Sequence, residues 1–299
     1  MIGFSGPLHS CLRFSDTERM EDGDRRIIII SDTHLGTRGA PTPEALRPLW
    51  ADADELIVNG DLAQLHDPAC RAIAARQVMR LQDLCEADGV GLTVLSGNHD
   101  PQLTDVRHLA LCDGRVFITH GDVLHPAISP WNGMDTPLHA LNEEALAALD
   151  RPQRSALPGQ LAAAQHAAHL NWEVPAEAPG RPTLAGRLRE KARKAAATLW
   201  YWRTLPRRAA AFAGQYAPEA GFFIFGHIHR AGIWRFDDLT IINTGCWHFP
   251  FRPLVVRIES GRLGVWPVRL AGAGVYQFRD RPLAAYTLTA GSGDDRAAA

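Results

Sequence analysis

Five short stretches of the chain share one pattern: an apolar run that ends on side chains able to hold a metal. IIIISDTH ends on Asp32 and His34, LIVNGD on Asp61, LTVLSGNHD on Asn98, His99 and Asp100, VFITH on His120, and FFIFGHIH on His227 and His229. Asp32, His34, Asp61, Asn98, His120, His227 and His229 together offer two carboxylates, four imidazoles and one amide oxygen, with no thiolate. That mixture suits Mn²⁺, Fe or Zn²⁺ better than Ca²⁺ or Mg²⁺ alone.

Seven ligands are too many for one catalytic ion that must keep a position open. They fit two ions roughly 3.5–4 Å apart, bridged by one carboxylate. Such a pair polarises a phosphoryl group, and a metal-bridging hydroxide attacks phosphorus in line. A further group must stabilise the leaving oxygen or protonate it, and His99 is the histidine left over. Residues i and i+2 of extended backbone point the same way. The spacing therefore predicts that Asp32 and His34 grip one site together, and that His227 and His229 do likewise. Gly60, Gly97, Gly121 and Gly226 stand where the backbone must bend or approach another group closely.

The elements that position these residues follow from the apolar pattern. Ile27–Ser31, Leu56–Asn59, Leu92–Leu95, Val116–Thr119, Phe222–Phe225 and Leu239–Ile242 read as strands buried on both faces. In open α/β sheets, ligands bind beyond the carboxyl ends of such strands. Pro68 is expected to open a helix that Gly89 ends, with Cys70, Ile73, Ala74, Val78, Leu81 and Leu84 on one face. His108–Cys112 and Arg115–Thr119 form a hairpin about Asp113-Gly114; Leu254–Glu259 and Arg262–Val268 form another about Ser260-Gly261. Helical patterns follow at Leu141–Leu149, Gln160–Trp172 and Leu184–Tyr216.

Composition sets the class. With 299 residues, 46% hydrophobic and 21% charged, the chain is a soluble globular protein with a sizeable core. A net charge of −2 gives no broad nucleic-acid footprint. Five cysteines without a CxxC pair argue for free thiols in a reducing, cytoplasmic setting. Residues 1–24 read as a loose leader without a signal core and 290–299 as a disordered tail.

The motif order D-x-H, G-D, G-N-H-D, H and G-H-x-H, over about 26–125 and 219–270, resembles the calcineurin-like metallophosphoesterases. The resemblance implies an α/β fold of two facing mixed β-sheets flanked by helices. The core would span 25–125 and 219–285, with 126–218 as a helical insertion or cap. It also implies roles. Asp32, His34, Asp61 and His229 would hold one metal, and Asp61, Asn98, His120 and His227 the second, with Asp61 bridging. His99 would act on the leaving group, paired with Asp100 or another carboxylate. Asp100 could instead simply start the turn before Pro101, and Arg230 either contacts a substrate phosphate or caps its loop. Two divalent ions are implied, manganese first, with iron or zinc as alternatives.

The substrate could be a phosphomonoester, a phosphodiester or a diphosphate. The basic, aromatic insertion has nine Lys/Arg and one Glu between Arg181 and Arg208. It resembles the cap of the UDP-2,3-diacylglucosamine diphosphatases, which act on a lipid-linked substrate. Two departures stand against that branch: it carries Arg where this chain has His99, and an acidic stretch where Ala63-Gln64-Leu65-His66 stands. A nuclease or cyclic-nucleotide phosphodiesterase of the same family is the alternative, with nucleic acid the less favoured partner. A non-catalytic metal-binding scaffold is the alternative of another class. The insertion reads as a solvated face, a lid over an anionic substrate, or a peripheral membrane contact through 181–208, where LWYWRTLPRR mixes aromatic and basic residues.

Overall fold

The computed structural model describes residues 25–134, 136–173 and 183–288, so the leader expected over 1–24 and the tail expected over 290–299 lie outside the described residues. In chain order the strands are β1 (Ile27–Ile30), β2 (Glu55–Asn59), β3 (Gly91–Leu95), β4 (His108–Leu111), β5 (Val116–Thr119), β6 (Phe222–Phe225), β7 (Gly232–Phe236), β8 (Leu239–Asn243), β9 (Leu254–Glu259), β10 (Arg262–Leu270), β11 (Tyr276–Phe278) and β12 (Ala284–Thr287). The helices α1 (Pro43–Leu46) and α2 (Arg71–Asp88) lie among the first strands. Between β5 and β6 come α3 (Pro137–Ala148), α4 (Arg151–Ser155), α5 (Leu157–Asn171) and α6 (Leu184–Tyr216).

Two mixed sheets face each other, as the motif pattern implied. The first has the order β11-β10-β9-β1-β2-β3, with β12 also paired to β10; the second runs β4-β5-β6-β8-β7. The strands β1, β2 and β3 are parallel, and so are β5, β6 and β8.

The runs IIII and FFIF are apolar throughout because both faces of their strands are covered. In β1, Ile27 and Ile29 join Ile118, Ile224 and Ile242 between the sheets, while Ile28 and Ile30 pack with Leu46, Trp50, Ala74 and Leu81 outside. In β6, Phe222 and Ile224 face the intersheet core, and Phe223 and Phe225 meet Tyr201, Leu205, Ala209 and Ala213 of α6. Each such side chain is worth about 1.5–3 kcal/mol of burial.

Some limits differ from the sequence pattern. α2 starts at Arg71, not Pro68, because Asp67 first builds a turn that takes the N–H groups of Ala69, Cys70 and Arg71. Ile73 is 46% exposed and Cys85 takes a buried place instead. Gly89 ends the helix in the left-handed conformation, as expected. α3 begins at Pro137, four residues before its apolar pattern, because the Thr136 hydroxyl accepts from His139 N.

A buried ion pair joins the loops after β3 and β5. Arg107 donates to both Asp122 oxygens (2.9 and 2.7 Å) and to Ser96 O (2.6 Å). Burial raises the Asp122 carboxyl, but Arg107 and His120 outweigh it and hold the group below the usual carboxylate range. Its stabilisation is therefore complete above the unfolded carboxylate pKa of about 3.9 and lost as pH falls through the lower folded value. Asp122→Ala leaves a buried guanidinium unpaired and should cost about 3–5 kcal/mol in urea unfolding at pH 7. A loss under about 1 kcal/mol would contradict the pairing.

Candidate metal centre

The C-terminal ends of β1, β2 and β3 from one sheet, and of β5, β6 and β8 from the other, open onto one cluster. The chain turns sharply there. Asp32, His34, Asp61, His227 and His229 all have positive φ, from 46° to 69°. Asp and His tolerate that region better than most residues. The extended-backbone reading of the i, i+2 spacing is thereby corrected, since the chain coils at these residues.

Two donor groups result. Asp32, His34, Asp61 and His229 place ligand atoms within 4.8 Å of one another, and Asp61, His120 and His227 do the same. Asp61 belongs to both. His227 and His229 do not fall in one group: His229 lies with Asp32, His34 and Asp61, and His227 with Asp61 and His120. Asn98 carries a buried Oδ1 without a hydrogen-bond partner.

Four of the donors are held from behind. His120 Nδ1 donates to Asn59 O (3.0 Å), and His227 Nε2 donates to Ile128 O (2.7 Å). That leaves His120 Nε2 and His227 Nδ1 buried without hydrogen-bond partners. A carbonyl behind a ring fixes tautomer and orientation, as behind metal-ligating histidines. Asp32 accepts the His227 N–H on both oxygens (2.9 and 3.0 Å) and the Ser31 hydroxyl. Asp61 Oδ1 accepts the His99 N–H (2.8 Å). Asn59 also donates to Thr119 O (2.9 Å), joining the two sheets at the edge of the cluster.

The electrostatics suit cation binding. Burial alone would raise Asp61, but His120, His99 and His34 outweigh it and hold Asp61 well below the carboxylate range. His120, 3.3 Å from Asp61 Oδ2, is raised to about 10; burial opposes this and the Asp61 carboxylate dominates. Asp32 is pushed up to about 7 by burial. Burial also pushes His34 and His229 down to about 3, and His99 and His227 to about 4. Three neutral imidazoles, His34, His227 and His229, and the ionised Asp61 are donors ready for a divalent ion. His99 and His229 keep side-chain exposures of 29% and 31%, so the cluster opens to solvent at these two rings.

Two expected residues sit elsewhere. Asp100 does not pair with the His99 ring. Its oxygens accept from Gly97 N (2.7 Å), Asp61 N (3.2 Å) and Ala63 N (3.2 Å), so it braces the turns that carry Asp61 and Asn98. The carboxylate near the His99 ring is Asp61, with Nε2–Oδ2 at 3.9 Å. Arg230 turns to α6, donating to Trp202 O (2.9 Å) and lying over the Trp202 and Trp234 rings. These contacts secure its loop against α6.

Other neighbours were not singled out by the motifs. Gln64 lies 3.3 Å from His34 Nδ1. The His66 ring is 4.6 Å from His99, and Trp172 is 5.5 Å from His66. His248 stacks on His34 at 5.7 Å. Cys246, its thiol pushed up to about 12 by burial, lies within 4.8 Å of His34 and His229. The one signal for Cys246 in the sequence is that Leu239–Ile242 is a sixth buried run, exiting into Asn243-Thr244-Gly245-Cys246.

A sequence profile described as calcineurin-like phosphoesterase matches residues 25–231. The comparison with curated proteins finds no match. Among solved structures, the chain is similar to Vps29 from Chaetomium thermophilum, with 12% identity over 88% of this chain and 97% of that one, TM-score 0.43. It is also similar to a dimetal phosphatase from Danio rerio, with 13% identity over 86% and 99%, TM-score 0.40. A third is a predicted phosphoesterase from Streptococcus pneumoniae TIGR4, with 15% identity over 86% and 98%, TM-score 0.38. At these scores the likeness carries no functional weight.

Close packing leaves no room for a side chain at Gly226: a Cβ there would overlap Asp32 Oδ2 and Ser31 Oγ. Gly226→Ala should lower stability by about 1–3 kcal/mol through overpacking. Thermal melting checks it, and an unchanged midpoint would contradict the crowding.

Proposed function

The chain belongs to the calcineurin-like phosphoesterase family, and on that premise we propose a phosphoesterase that holds two divalent cations and cleaves a phosphoester or diphosphate. One observation carries the reading: a single buried carboxylate, Asp61, belongs to both donor groups. Asp32, His34, Asp61 and His229 would hold one cation, and Asp61, Asn98, His120 and His227 the other. The donor set fits, since His120 Nε2, His227 Nδ1 and Asn98 Oδ1 are buried without hydrogen-bond partners. Bound cations supply Lewis-acid polarisation of the phosphoryl oxygens and a nucleophile at neutral pH. Manganese is the first expectation, with iron or zinc as alternatives.

The chain's own groups set the geometry. His120 must release its Nε2 proton to become a ligand, and the carbonyl of Asn59 keeps its ring in place meanwhile. His99, neutral near pH 7, serves the leaving oxygen as a hydrogen-bond donor. Its N–H anchors it on Asp61, and its ring lies 4.9 Å from His34 and 4.6 Å from His66. Asp100 acts through the backbone of the turns and not on the reacting atoms.

The finer reading is a substrate with an apolar part, such as the lipid-linked diphosphates cleaved by the UDP-2,3-diacylglucosamine diphosphatases. Aromatic side chains border both exposed imidazoles: Trp172 behind His66 beside His99, and Phe251 5.6 Å from His229 with Trp202 behind it. The outer half of α6 supports a peripheral membrane contact in the cytoplasm. Leu184, Leu188 and Leu199 share one exposed face of a helix that also carries Arg187, Arg189 and Lys191. No helix among the described residues is long and apolar enough to cross a membrane.

The decisive experiment is a screen of the manganese-loaded protein across aryl phosphates, nucleotides, nucleic acids and lipid-linked diphosphates. Hydrolysis abolished by chelation is expected, fastest on the lipid-linked class. A metal-replete protein inert on every phosphoester would make it a scaffold. His99→Ala should retain both cations by elemental analysis and lose about 10²–10⁴-fold in turnover. Full activity in that variant removes His99 from the reaction.

A further inference from the structure

Six parallel strands point their C-terminal ends at the cluster, and the motifs account for five. The sixth, β8, exits through Asn243-Thr244-Gly245 to Cys246. Gly245 has φ +73°, and a Cβ there would lie 2.8 Å from Arg252 O, so the turn that delivers Cys246 is tight. It is also locked. Thr244 N donates to Phe225 O (3.0 Å), Gly245 N donates to Asn243 Oδ1 (2.9 Å), and Trp247 Nε1 donates to Ser31 O (2.9 Å).

Cys246 is fully buried, but its surroundings differ from those of the other buried cysteine. Cys85, the other buried cysteine among the described residues, packs with Leu81, Val90 and Val94; Cys246 lies in none of the apolar clusters. Its Sγ instead lies within 4.8 Å of ring nitrogens of both His34 and His229. The His248 N–H points at the sulfur from 3.5 Å, so Sγ acts as an acceptor. Three donors of the right kind, an N–H behind the sulfur and a rigid turn form a built ligand position.

The His34–His229 pair thus serves two overlapping donor groups. One is completed by the carboxylates of Asp32 and Asp61, the other by sulfur. Thiolate and imidazole together favour soft cations such as zinc, whereas a carboxylate-rich set suits manganese. We infer that Cys246 is a thiolate ligand to the cation gripped by His34 and His229, and that it biases this position toward zinc over manganese. On binding, one sulfur–metal bond forms and the S–H proton leaves to solvent. The inference rests on the reading that this cluster holds a cation at all.

Cobalt(II) reports the difference directly. The full chain loaded with Co²⁺ should show a thiolate-to-cobalt charge-transfer band in the near ultraviolet. Cys246→Ser should bind cobalt without that band. A variant carrying Cys11→Ser, Cys70→Ser, Cys85→Ala and Cys112→Ser, with Cys246 as its one thiol, should keep it. In competition, Cys246→Ser should lower the zinc-over-manganese preference by about tenfold or more. Bound cobalt without the band in the parent chain, or a band that survives Cys246→Ser, overturns the inference and leaves the two-cation reading standing. A parent chain that binds no cobalt overturns both.

Discussion

The carboxylate of Asp61 is buried, ionised and surrounded by imidazoles, and much of the surrounding structure answers that one constraint. An isolated buried carboxylate is costly and would ordinarily take up a proton. Here His120 carries compensating charge 3.3 Å away and the His99 N–H binds the other oxygen. Asp100 in turn receives the N–H of Asp61 and that of Gly97, so a second buried carboxyl holds the first in place through the backbone. Asp61, His120 and Asp100 are each tied to main chain, which restrains the network without adding many side-chain charges.

Two sheets are needed to build it. Asp61 comes from the first sheet, and His120 and His227 from the second. Asn59 ties the sheets at that edge, accepting from His120 and donating to Thr119 O. The intersheet core of isoleucines and valines sets the spacing, and the strand ends inherit it. Left-handed backbone at five of the seven donor candidates then turns the side chains inward. Conformational strain of this kind, of order 1–3 kcal/mol per residue, persists only where the surroundings over-determine it. Here the surroundings are a packed core on one side and carbonyl-anchored imidazoles on the other.

The helical segment between β5 and β6 does two separate jobs. The inner half of α6 is core: Tyr201, Leu205, Ala209 and Ala213 cover the outer face of the second sheet. Its junction with the cluster is explicit, through Trp202 Nε1 to Ile228 O (3.1 Å) and Arg230 to Trp202 O. α5 is tied to the opposite rim, where Gln165 donates to Pro101 O (2.6 Å) and Thr104 O (3.1 Å). The outer half of α6 leaves leucines exposed. The exposed leucines therefore fall on an element distinct from those that hold the donors.

Much of this was legible in the residues alone. Runs such as IIII and FFIF must be buried on both faces, which dictates paired layers, and the motifs at their ends name the donors. Gly89 as a helix stop and the two hairpin turns follow from local backbone preference, which is encoded within a few residues. What only the tertiary structure decided is where side chains point once the chain leaves a strand. The separation of His227 from His229, the turn-bracing role of Asp100, the docking of Arg230 on indoles, and the arrival of Cys246 beside His34 all depend on contacts with residues far away in the chain. Periodicity reports which residues are buried. It carries no term for a left-handed turn at a strand end, or for the partner that turn brings into reach, because those are set by the packing of two sheets against each other.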